Sequence, residues 1–166
     1  MRTLKTNLIV GFIFVSILGT LWHFVYEWSG DFRLLGFIAP INESTFEHMK
    51  LIFFPSLIYM PVTHYYLKDK YPSIVNALSY GILYGTFFLP IFFYSYSGII
   101  GQNFTPVDIG SFYIGTLLVF LVTYRLLKQK SKQTFHAIGF YLLFVMIFIF
   151  VRFTYNNPGV GIFAEP

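Results

Sequence analysis

The stretch "NLIVGFIFVSILGTLWHFVYEW", residues 7–28, decides the fold. It follows the basic "MRTLK", so its opening resembles a secretory leader that would be cut away. The apolar run continues through "SILGTLWHFVYEW" without a small-x-small cleavage site, so it reads as a retained helix. A bilayer core needs about 20 apolar residues in a helix, and this run meets that length.

The rest of the chain repeats the pattern. Its 166 residues are 56% hydrophobic and 22% aromatic, with only 11% charged and a mean hydropathy of +0.66. Soluble domains average about 25% charge, so a water-exposed globule could not be covered. The expected fold is an all-α integral membrane protein, one domain over residues 1–166, in contact with the lipid bilayer. Five spans are expected at Asn7–Trp28, Thr45–Leu67, Ser73–Ser97, Asp108–Leu127 and Phe135–Tyr155. There is no cysteine, which excludes disulfides, thiolate metal sites and cysteine nucleophiles.

Short connections give the orientation. Arg2, Lys5, Lys68, Lys70, Arg125, Lys128, Lys130 and Lys132 are eight of the 11 basic residues, and all fall on one side of the predicted bundle. The positive-inside rule makes that side cytoplasmic, with the N-terminus inside and the C-terminus extracytoplasmic. Of the seven acids only Asp69 shares it; Glu27, Asp31, Glu43, Glu47, Asp108 and Glu165 lie at or beyond the outer boundary. The net charge of +4 is thus a topology signal, and no nucleic-acid partner is expected.

Pro55 and Pro61 in the second span and Pro90 in the third predict kinks. Ala77, Gly81 and Gly85 recur every fourth residue, a small face on which another helix can dock, within the chain or across a dimer.

Polar residues gather at the outer end. Ser16, Thr20, His23 and Glu27 fall on one face of the first predicted helix, which must meet protein or water. With entry into hydrocarbon near Leu8, His23 lies about 22 Å along, still inside a core of about 30 Å. An ionisable group at that depth marks a pathway, a relay or a paired structural site. The second predicted helix opens with "PINESTFEHMK", residues 40–50. Ser44-x-x-Glu47 fits a capping box, with Asn42 as an alternative cap, and that accounts for the two cap residues and one glutamate. Glu43, Glu47 and Lys50 share a face, so a Glu47–Lys50 pair absorbs one charge, whereas His48 lies about 100° from Glu47.

One short connection joins these helices, so His23 and Glu27 approach Glu47 and His48. Two histidines with carboxylates suit a divalent metal such as zinc, and His23, Glu27, Glu47 and His48 form the candidate ligand set. The competing reading is that buried polar groups merely satisfy one another. Arg152, near the outer end of the last span, needs an anion, supplied by an acid of the cluster or by a lipid phosphate. Asp108 follows Pro106 at the start of the fourth span, where an acid favours the helix dipole. His64 and His136 read as interfacial, and "TYNNPGVGIFAEP" as a tail that turns back over the outer mouth.

The segments "HFVYEW" (23–28), "PINESTFEHMKLIFFP" (40–55) and the ending from Phe153 to Pro166 resemble a family of small bacterial membrane proteins of unknown function. The resemblance covers the whole chain, and Asn-Glu-Ser-x-x-Glu-His is its most specific part. It implies a site at that segment and no particular chemistry. Three functions remain open: binding or transport of a cation, proton or lipid head group; metal-dependent hydrolysis within the membrane; and a structural subunit with a helix partner on Ala77, Gly81 and Gly85.

Overall fold

The computed structural model describes residues 3–129 and 138–165, and all its regular elements are helical. Arg2, Lys130, Lys132, His136, Pro166 and the expected start of the last helix at Phe135 lie outside the described residues. The elements are α1 (Leu4–Trp22), α2 (Val25–Trp28), α3 (Arg33–Gly36), α4 (Thr45–His48), α5 (Lys50–Leu67), α6 (Ile74–Ile100), α7 (Thr105–Lys128) and α8 (Ile138–Phe153), then a 3₁₀ turn at Gly161–Phe163. Helices α1, α6 and α7 are long and apolar enough to cross a membrane. Helix α5 has 18 residues with Pro55 and Pro61 inside it, and the described part of α8 has 16. Large apolar side chains lie exposed along the helices, as Ile9, Ile13 and Ile17 do at every fourth residue of α1, a surface that water would not tolerate and lipid would.

Close backbone approach fixes how the long helices pack. A Cβ at Gly85 would sit 2.5 Å from the carbonyl oxygen of Gly115, and one at Gly81 would collide with that of Val119. The Thr123 hydroxyl reaches the Ala77 carbonyl at 3.4 Å. The face carrying Ala77, Gly81 and Gly85 therefore lies against α7 of the same chain.

Helix α1 wedges between α5 and α7 by the same means. Gly11 abuts the rings of Tyr59 and Phe120, and Gly19 abuts the Leu51 carbonyl and the Phe112 ring. The last turn of α1 thus meets the first turn of α5 and the N-terminal half of α7. His23 then stands one turn above that contact, beside His48.

The first expected span does not run unbroken to Trp28. After Trp22 the amide of Phe24 donates to the Leu21 carbonyl at 3.1 Å, a tight turn that starts the separate helix α2. The Trp22 indole N–H, anchored on the Ile38 carbonyl at 2.8 Å, pins the break against the returning chain. Glu27, expected on the stripe of Ser16, Thr20 and His23, is carried off it and lies exposed.

Candidate metal centre

The helix-start reading of "NESTFEH" holds for Ser44, while the reciprocal half of the capping box does not form, because the Glu47 carboxylate turns to Ile41 and Lys50 instead. Ser44 is the N-cap of α4, its hydroxyl accepting from the Glu47 amide at 3.4 Å, and the Asn42 carboxamide oxygen accepts from the Ser44 amide at 3.0 Å. This cap fixes the directions of the three chemical residues. Glu43, just before it, stays at the surface; His48 ends α4 on the side facing α1; Glu47 turns inward.

Glu47 belongs to a buried clamp. Its side chain is 2% exposed and that of Lys50 is 0% exposed, with Lys50 Nζ 2.6 Å from Glu47 Oε2. The ammonium also donates to the carbonyls of Gly36 at 2.7 Å and Ala39 at 3.4 Å, and to the Thr154 hydroxyl at 2.8 Å. The same Glu47 oxygen accepts from the Ile41 amide at 3.0 Å. A charge pair so deeply buried persists only when its remaining donors and acceptors are satisfied, as they are here. The clamp ties the start of α5 to the last residue of α3 and the chain just after it, and to the residue that follows α8.

The two histidines meet with the other glutamate. His23 Nε2 lies 3.2 Å from His48 Nε2. Glu43 Oε2 completes a triangle, 3.4 Å from His23 Nε2 and 3.2 Å from His48 Nε2. The rings stack with centroids 5.3 Å apart, and the imidazoles are 30% exposed against 61% for Glu43. With Glu43 as a carboxylate, no arrangement of protons satisfies all three contacts. If both imidazoles carry Nε2–H, the two N–H groups confront one another; if only one does, a lone pair faces the carboxylate. A cation at the centre satisfies all three at once. Among the described residues, His23, Glu43 and His48 form the one group of three or more histidines and acids close enough to share a metal ion. The carboxylate beside the two histidines is thus Glu43, where the sequence pointed to Glu27 and Glu47.

These residues line a cavity of about 650 Å³ whose walls also include the apolar Leu51, Leu89, Phe93, Ile109 and Phe112 and the polar Asn103, Thr105, Ser111 and Glu165. Asp108 lines the same cavity from the first turn of α7. It accepts a hydrogen bond from the Tyr96 hydroxyl and another from the Asn103 side-chain amide at 3.3 Å. Arg152 is exposed, its guanidinium 5.6 Å from the centre of the adjoining Phe153 ring, and it joins no ion pair with a described acid. The tail lies over α4 and α6: the Phe163 ring packs 4.5 Å from that of Phe46, and the Tyr94 hydroxyl donates to the Gly161 carbonyl at 2.8 Å.

Sequence reasoning missed the reach of Lys50 beyond its neighbour Glu47. The signal was present in a lone ammonium at the head of an apolar run, which must find several acceptors once buried. It also missed the bridge at the cavity rim, where the hydroxyls of Thr20 and Tyr113 lie 3.2 Å apart.

Comparison with curated proteins and with solved structures found no match. The chain matches a family along its whole length, residues 1–166, and so belongs to the family of unknown function DUF6512.

Proposed function

We propose that this is an integral membrane protein that binds a divalent transition-metal cation through His23, His48 and Glu43, with zinc the best fit. The observation that carries the reading is the size of the donor triangle. Tetrahedral zinc with bonds of about 2.0–2.1 Å requires its ligand atoms to stand about 3.3 Å apart. The three donors stand 3.2, 3.2 and 3.4 Å apart, with no rearrangement. Two imidazoles and one carboxylate also match zinc's preference for nitrogen with a hard oxygen.

Purified wild-type protein is expected to take up zinc at about one ion per chain. His23→Ala and His48→Ala should each weaken binding by more than about 100-fold, since even changes behind the ligands cost 10–100-fold. Metal analysis with zinc titration reads this out, with circular dichroism to show that each variant is folded. A folded wild type that takes up no zinc would sink the reading.

The proposed setting is a cell membrane crossed five times, by α1, the α4–α5 segment, α6, α7 and α8, with the N-terminus in the cytoplasm. The clustering of basic residues on one side supports this orientation and puts the metal centre at the outer leaflet. A reporter fused to the C-terminus should be active only outside the cytoplasm, and cytoplasmic activity would mean that one crossing has been miscounted.

One observation favours a second reading, metal-dependent hydrolysis. Three protein ligands leave a fourth position for water, and Asp108 offers a further carboxylate, a candidate general base, on the same cavity.

A further inference from the structure

A metal ion and its water occupy a small part of a cavity of about 650 Å³, which is the size of a small-molecule site. Apart from the two histidines, every ionisable group of ordinary charge on its wall is an acid: Glu43, Asp108 and Glu165 line it, and no lysine or arginine does. Three carboxylates outweigh the two positive charges of one divalent ion, so the cavity is negative with the metal or without it. Glu43 is engaged by His23 and His48, whereas among the described residues Asp108 and Glu165 join no ion pair. The donors that hold Asp108, the Tyr96 hydroxyl and the Asn103 side-chain amide, are neutral and fix the carboxylate without cancelling its charge. Thr45 supplies an independent sign of a ligand. It lines the same cavity and is only 6% exposed, yet its hydroxyl has no hydrogen-bond partner among the described residues and, unlike those of Ser16 and Thr116, is not sealed inside the protein. A polar group so deep normally finds a partner, and this one is open to a guest. The rings of Phe24, Phe93, Phe112 and Tyr113 stand on the same wall, and ring faces attract cations.

We propose that the cavity binds a small organic amine in its protonated form, with Asp108, Glu165 and the Thr45 hydroxyl as acceptors for its N–H groups and the aromatic walls against its carbon body. Charge and hydrogen-bonding capacity select this class. An anion is repelled by the three carboxylates. A hydrated inorganic cation leaves the apolar and aromatic walls without a partner, and a quaternary ammonium has no N–H to give to the Thr45 hydroxyl. A primary ammonium carries three donors and no acceptor, the complement of a site that offers two carboxylates and a free hydroxyl. The inference does not rest on the metal reading, because the excess of acid remains whether or not the ion is bound.

The test uses the full chain in phosphatidylcholine nanodiscs, whose head group has no N–H to compete, with a chelator present so that the outcome is separate from metal binding. Calorimetric titration near neutral pH compares probes of one shape: phenethylamine, which is protonated there, neutral phenethyl alcohol and anionic hydrocinnamate. The amine is expected to bind at least about tenfold more tightly than the alcohol, the worth of one charge-assisted hydrogen bond, and hydrocinnamate should not bind. The quaternary trimethylammonium form of the amine should lose most of that advantage. Thr45→Val, which keeps the side chain's shape, and Glu165→Gln, at an exposed position where folding is not at stake, should each weaken amine binding by about three- to tenfold. Glu165→Gln should leave binding of the alcohol unchanged. If the amine binds no better than the alcohol, if the trimethylammonium form matches it, or if both variants keep the whole preference, the inference falls, while the metal reading stands or falls on its own zinc titration.

Discussion

Lys50→Met is expected to destabilise the folded protein by about 3–5 kcal/mol, the cost of leaving a buried charge without its partner. The variant keeps the apolar stem of the lysine but strips Glu47 of its counter-ion at a position only 2% exposed. It also leaves the carbonyl of Gly36 and the hydroxyl of Thr154 without their donor. The double variant Lys50→Met with Glu47→Leu should recover most of the loss, because replacing a whole buried pair by apolar side chains is often near neutral. Reversible unfolding in mixed micelles, run on both singles and the double, gives the coupling energy directly. A single variant within about 1 kcal/mol of wild type would show that the clamp carries little of the stability, as exposed ion pairs do.

Zinc at 100 times its dissociation constant should stabilise the protein by about 2.7 kcal/mol, by mass action on the folded state alone. For a chain of this size that is a rise in thermal midpoint of roughly 5–10 °C. The effect has a definite pH sign. The ligand imidazoles must be neutral to bind, so zinc favours their deprotonated form and its stabilisation is greatest above the ordinary histidine range. It is lost as the pH falls and protons compete for the same nitrogens. Thermal unfolding with and without a chelator at pH 8 and at pH 5.5 measures the difference. His48→Ala should show no zinc-dependent shift at either pH, and a wild type stabilised equally at both would mean that the metal is held elsewhere.

The sequence made the helices legible because hydrocarbon-length apolar runs are a strong signal, and it made the meeting of His23 with His48 legible because both fall at one depth on helices joined by one connection. The break at Trp22 was not legible. Neither proline nor glycine marks it, and it depends on the indole reaching the carbonyl of Ile38, 16 positions further along the chain. The choice among the glutamates was hidden for a similar reason. Helical spacing places Glu43 and Glu47 on one face, but Glu43 precedes the Ser44 cap and is not helical, while Glu47 is drawn inward by Lys50. The acceptors that fill out that ammonium's shell, Gly36, Ala39 and Thr154, lie 14, 11 and 104 residues away and carry no pattern that points to it. That Arg152 pairs with none of the described acids was not legible either, because the face that α8 turns outward is set by packing, which a largely apolar helix does not encode.

The link from Lys50 to Thr154 also bears on the order in which the protein is made. His23, Glu43 and His48 all leave the ribosome within the first third of the chain, whereas the hydroxyl that completes the lysine's shell emerges 104 residues after Lys50. During that interval the start of α5 holds an ammonium whose partners are incomplete. The brace beside the proposed metal site is therefore finished only when the last helix docks. A chain truncated before α8 is expected to be recognised as unfinished and degraded, even though every proposed ligand is present in it.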